Sequence, residues 1–250
     1  MIPKRALVTG GTRGIGYEIV KMLTSHNYEV TFIGRTHESV NNALETYNHS
    51  NIKGIVYDMS TSTTLQIPFN FDTVIHNAGM LSRDSLENIN ENKLHKMFAI
   101  NAMSPIMLTK MCLPYMMHNN SGNVFFFCPP YQIDAKTRVL TPYMQSKLAQ
   151  TTFMASIADL LSNTNIKVGG FWTKYPIYTD ALIHRNIGKV ENCMSPKIIA
   201  KTVELMMHDK RENVHGNVIL DGDYLLANGL NPNQWALGSH TKSLEELFSL

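Results

Sequence analysis

Glycines at positions 10, 14 and 16 constrain this chain more than any other feature, set as they are in Ala6-Leu7-Val8-Thr9-Gly10-Gly11-Thr12-Arg13-Gly14-Ile15-Gly16. Ahead of them lies a short apolar run, Arg5 to Val8. Behind them Ile15, Ile19, Met22 and Leu23 recur at helical spacing. A glycine-rich turn between a strand and a helix lets the backbone approach a pyrophosphate, whose charge is met by amides and by the positive end of the helix. Gly16 in addition permits close packing of helix on strand. Gly10, Thr12, Arg13, Gly14, Ile15 and Gly16 are therefore candidate cofactor-binding residues. The alternative is a glycine turn that binds nothing.

The same strand-then-helix alternation runs through the chain. Arg5 to Val8, Glu29 to Ile33, Ile52 to Tyr57, Thr73 to His76, Val124 to Cys128, Ile166 to Phe171 and Val218 to Leu220 read as buried strands. Besides the helix after the glycine turn, helices are expected over Glu38 to Tyr47, Glu91 to His118, Thr141 to Leu161 and Pro196 to His208. Strands alternating with crossover helices imply a doubly wound parallel sheet of about seven strands, covered on both faces. No repeat, low-complexity linker or break in composition divides the 250 residues, so residues 1–250 are expected to form a single domain. Its C-terminal tail, 231–250 with Trp235 and Leu237, is expected to cover the site or a neighbouring subunit.

A chain with 44% hydrophobic and 17% charged residues has the apolar content of a packed protein. Its net charge of +2 is small and its basic residues are scattered, which argues against nucleic acid as a partner. No uninterrupted apolar stretch reaches the roughly 18 residues of a membrane span, and no apolar leader precedes the first strand, so no membrane partner and a cytoplasmic location are expected. Cys112, Cys128 and Cys193 include no C-x-x-C pair, which fits a reducing compartment. None of the ten histidines forms a ligand-spaced pair with another histidine or a cysteine, so no metal site is expected.

An acidic residue at the end of the second strand would favour the free ribose hydroxyls of NAD. Gly34 and Arg35 stand there instead. Arg35 and Arg13 together are suited to the extra 2′-phosphate of NADP through charge-assisted contacts, so NADP is the expected cofactor. Either arginine alone would read equally well as a solvated surface charge.

With these residues in view, the sequence resembles the short-chain dehydrogenase/reductase family, a single-domain Rossmann fold. The pattern Thr-Gly-x-x-x-Gly-x-Gly runs from Thr9 to Gly16, followed in the family's order by Asp58, Asn77-Ala78-Gly79, Asn101 and Tyr143-x-x-Ser146-Lys147. The resemblance implies that Asp58 sits beside the adenine and that Asn77, Ala78 and Gly79 line the cofactor cleft. It implies that Thr179 binds the carboxamide or a phosphate, and that Asn101 kinks its helix and supports a water relay to the lysine. Tyr143 and Lys147, four apart on a helix, share a face, so one ammonium can hold the cofactor ribose while lowering the pKa of the phenol. Both count as catalytic and cofactor-binding candidates, with Asn101 as a third catalytic one. Asn101 also falls on the stripe of Leu94, Phe98, Leu108 and Cys112, a costly place for an amide without partners. Pro105, four residues on, should free its carbonyl.

The pattern breaks after the fifth strand, where the family has a serine and this chain reads Phe127-Cys128-Pro129-Pro130-Tyr131. Neither proline donates, and losing one oxyanion donor costs roughly 10²- to 10³-fold in rate. The proline pair resembles the hydroxysteroid dehydrogenase-like branch of the family, with Cys128 in place of its serine. That branch has Trp-Pro-Lys where Trp172-Thr173-Lys174 stand here. The expected function is an NADP(H)-dependent oxidoreductase interconverting a small-molecule carbonyl and an alcohol, with Tyr143 as proton donor and acceptor. Tyr178, Leu182 and Ile183 would serve in an apolar substrate lid. A homodimer or homotetramer through the Glu91 and Thr141 helices is implied by the resemblance. The competing reading is a dinucleotide-binding protein, impaired in catalysis, that acts as a redox sensor or scaffold.

Overall fold

The structure is a computed structural model that describes residues 3–61, 65–82, 84–131, 141–180, 189–239 and 243–244. The expected strands all form: β1 Arg5–Thr9, β2 Glu29–Gly34, β3 Ile52–Val56, β4 Thr73–His76, β5 Gly122–Phe127, β6 Ile166–Trp172 and β7 Val218–Leu220. They pair in parallel in the order β3-β2-β1-β4-β5-β6-β7, a doubly wound Rossmann sheet. Such strands are apolar on both sides because both faces are covered, and each face packs its own core.

Ala6, Val8, Phe32, Ile75, Phe125 and Phe171 point to the face covered by α1 Gly14–Ser25 and α6 Lys197–His208, which contribute Ile19, Leu23, Ile199 and Val203. α2 His37–Tyr47 adds Val40 and Ala43 to the same core and starts on a Thr36 capping box. On the other face Leu7, Val74, Val124, Phe126 and Val168 meet Leu108, Cys112 and Met116 of α4 Ser104–Asn119, and Met154 and Ile157 of α5 Thr141–Leu160. The short α7 Arg211–Val214 precedes β7, and α8 Asp221–Ala227 follows it.

One element departs from expectation. The continuous helix from Glu91 to His118 is instead α3 Glu91–Phe98, a π-helical turn Ala99–Met103, and α4. Pro105 has no N–H to offer the Asn101 carbonyl, so the regular ladder cannot continue, and the Ser104 N–H reaches back five residues to the Ala99 carbonyl. Of the tail, residues 231–239 return to the segment that follows β6. The Trp235 carbonyl accepts from Ser195 N at 2.8 Å, the Leu237 N–H donates to the Cys193 carbonyl at 3.0 Å, and Trp235 packs on the core beneath α1 and α6. Among the described residues no helix is long and apolar enough to cross a membrane.

The strand order reverses direction between β1 and β4. In an open α/β sheet this reversal opens a crevice beyond the carboxyl ends of the two strands, where ligands bind.

Candidate active site

The turn after β1 closes under tight steric control. Gly10 and Gly14 have φ of +70° and +57°, a region that costs L-residues with side chains. A Cβ on Gly16 would lie 2.2 Å from the Gly10 carbonyl oxygen, so the α1 backbone sits directly against the turn. Tyr47, from the end of α2, donates its hydroxyl to the Gly11 carbonyl at 2.5 Å and stacks on Tyr17. Thr12 packs against Gly34, and Ile15 packs on the core of the α1 face.

The loop after β4 is fastened to this turn. Asn77 and Ala78 donate their backbone N–H groups to Thr9 Oγ1 at 3.1 and 3.0 Å, while Asn77 Nδ2 donates to the Thr9 and Gly10 carbonyls at 3.0 and 3.2 Å. Beyond Gly79 the chain meets Asn101. Its Oδ1 accepts from Met80 N at 2.7 Å, and its Nδ2 donates to the Met80 carbonyl at 3.0 Å and to Ser146 Oγ at 2.8 Å. Ser146 in turn donates to the Tyr143 carbonyl at 2.7 Å. The π turn is what aims this amide inward: fully buried, it joins the β4 loop to the first turns of α5.

On α5, Tyr143 is half-buried and Lys147 is 1% exposed. The Lys147 ammonium donates to Gln150 Oε1 at 2.8 Å and lies 5.2 Å from the Phe127 ring and 5.9 Å from the Trp172 ring. These rings close β5 and β6, so the ammonium stands at the carboxyl end of the sheet. Burial pulls its pKa down to about 8, against a smaller upward pull from Cys128. His76, at the end of β4, is buried and stacked on Phe126, with Nε2 2.8 Å from Thr109 Oγ1. Burial and then the nearby Lys147 push its pKa down to about 3, so the ring is neutral.

The remaining expected residues occupy more exposed ground. Arg35 is exposed at the end of β2, and Arg13 is exposed on the turn, paired with Asp180 at 3.2 Å. Thr179 lies over the turn, its Cγ2 3.2 Å from where a Gly14 Cβ would stand. Asp58 Oδ1 accepts from Ser60 N and Ser60 Oγ at 2.9 and 2.7 Å, bonds that hold its carboxyl below the usual range, with Arg35 adding a weaker pull. Leu182 and Ile183 of the expected lid lie outside the described residues.

Cys128, which the sequence offers as a substitute for the serine, is buried in the core, in contact with Gly170. Burial raises its thiol to about 11, so it is neither exposed nor a thiolate at neutral pH. Sequence reasoning overlooked Gln150, His76 and Asp221. The last is buried, accepts from Lys174 N and Gly222 N at 2.7 Å each, and anchors the segment leaving β6. The available signal was polarity: Gln150 shares a helical face with Met154 and Ile157, and His76 ends an apolar strand.

The sheet reversal and the glycine turn define the class of doubly wound α/β proteins of the Rossmann kind. A family model described as short chain dehydrogenase matches residues 4–188. The chain belongs to the short chain dehydrogenase family. It is 27% identical over 173 residues to the uncharacterized oxidoreductase YvaG of Bacillus subtilis (strain 168), a match covering 66% of this chain and 65% of that relative, just under two thirds of its length. It is 23% identical over 184 residues to YvrD of the same organism, covering 68% of this chain and 70% of that one. Among solved structures it superposes on a short chain dehydrogenase from Mycobacterium thermoresistibile with TM-score 0.83 and 19% identity, covering 96% and 93% of the two chains. A metagenomic short-chain oxidoreductase in complex with NADP superposes with TM-score 0.69 and 19% identity, covering 87% of this chain and 96% of that one.

Proposed function

We propose that the protein is an NADP(H)-dependent oxidoreductase that interconverts a carbonyl and an alcohol. The observation that carries this reading is that the loop after β4 is hydrogen-bonded at Asn77 to the glycine turn and at Met80 to Asn101, which continues through Ser146 to the helix of Tyr143 and Lys147. The cradle fits a pyrophosphate: Gly10 and Gly14 hold positive φ, and the Gly16 position has no room for a side chain. When bound, the dinucleotide supplies or accepts the hydride. The Gly10–Gly16 turn would hold its phosphates, Arg13 and Arg35 its 2′-phosphate, Asp58 would sit beside the adenine, and Thr179 would bind the carboxamide or a phosphate. Lys147 orients the ribose, and its charge lowers the phenol of Tyr143, which exchanges the proton with the substrate oxygen. Asn101 holds the β4 loop and α5 in register. The protein is proposed to be cytoplasmic and to assemble as a homodimer or homotetramer through α3 to α5.

The test is NADPH oxidation by the purified protein across a broad carbonyl panel, beside a Tyr143→Phe control. Turnover in the wild type and a loss of at least about 10²-fold in the variant are expected. No oxidation above the control overturns the reading, and tighter NADH than NADPH binding overturns the cofactor assignment. The buried Cys128 and the two prolines after it favour one competitor, a dinucleotide-binding scaffold impaired in turnover. Substantial turnover that disappears in Tyr143→Phe excludes it.

A further inference from the structure

Gln150 has no part in the mechanism above, yet it is fully buried and lies one turn beyond Lys147 on α5. A glutamine in an apolar interior is costly unless its amide is satisfied, and a leucine or methionine would fill similar space without that demand. Only half of this amide is satisfied. Oε1 accepts from Lys147 Nζ at 2.8 Å, whereas Nε2 has no hydrogen-bond partner among the described residues. The side chain is thus committed to one contact.

The need for that contact lies in the surroundings of the ammonium. Phe127 and Trp172 present ring faces. Of the ionisable groups around it, His76 at the end of β4 is neutral and Cys128 beyond β5 holds its proton at neutral pH, while Tyr143 sits one turn back on α5. An ammonium taken out of water needs a strong acceptor or loses its charge. The Gln150 carbonyl supplies one.

We propose that Gln150 is a positioning residue for Lys147: its side-chain carbonyl fixes the ammonium against the Phe127 and Trp172 rings and keeps it charged there. Its consequence for the ribose contact rests on the proposed function, whereas the pairing itself does not.

Two measurements separate these. NADPH affinity, titrated by fluorescence from pH 6 to 10, is expected to decline in the wild type with a midpoint near 8, where Lys147 loses its proton. Gln150→Glu should move that midpoint up by about one pH unit or more. Gln150→Leu should move it down and weaken binding at pH 7 by about tenfold. A uniform loss of affinity with an unmoved midpoint is what a packing role gives, and it overturns the proposal. The second measurement needs no cofactor: the shift that Gln150→Leu causes in the urea midpoint at pH 7 should vanish in a Lys147→Met background. Equal shifts in both backgrounds overturn the proposal. Coupling in this cycle, together with unchanged NADPH binding by Lys147→Met, would instead overturn the functional reading and leave the positioning intact.

Discussion

At Gly16 the space left for a methyl group is negative: a Cβ would stand 2.2 Å from the Gly10 oxygen and 2.5 Å from Asn77 Nδ2. Both neighbours are fixed, one as backbone and the other by two carbonyls, so neither can give way. Gly16→Ala should destabilise the fold by about 2 kcal/mol or more in urea unfolding and weaken dinucleotide binding about 100-fold. Gly79 is the contrasting case. There a Cβ meets only Asn101 Oδ1, at 3.4 Å, so Gly79→Ala should unfold within about 1 kcal/mol of the wild type. The glycine turn was legible in the sequence because few other residues fit such geometry. The setting of Cys128 was not, since a thiol suits a site and a core equally well and its burial against Gly170 is set by the fold.

Among the elements, the strands could be read because their apolar runs are short and bounded by turns. The long helix was harder. Its apolar stripe runs on through the break, and only Asn101 and Pro105 hinted at it; periodicity cannot say that the relief takes the form of a five-residue π turn. This turn gives the Asn101 amide three partners that lie on two other elements. Removing the amide leaves the half-buried Met80 N–H and carbonyl without this partner and takes one of two hydrogen bonds from the Ser146 hydroxyl, each worth about 1 kcal/mol or more. Asn101→Ala should therefore cost about 3 kcal/mol in urea unfolding and speed amide exchange at Met80. Full protection of that amide in the variant would show that the link carries no weight.

Across the whole molecule, two buried bases shape stability against pH. His76 is held far below its usual 6.5, at about 3, so the unfolded chain binds the extra proton between these values and stability falls on acidification through that window. The loss is on the order of 4 kcal/mol by pH 3. Lys147 is lowered from 10.5 to about 8, so its burial penalises the fold fully below pH 8 and the penalty fades toward pH 10.5, a gain on the order of 3 kcal/mol. Urea midpoints across pH should show both slopes, with the acid one flattened in His76→Phe and the alkaline one absent in Lys147→Met. The exposed pair of Arg13 and Asp180 sets a further condition on the assembled molecule. An anion that takes the guanidinium competes with the Asp180 carboxylate, so arrival and departure are in part an exchange of counter-charges. Dissolved salt then weakens the incumbent and the newcomer alike, and occupancy of the glycine turn becomes less sensitive to ionic strength than a lone arginine would make it.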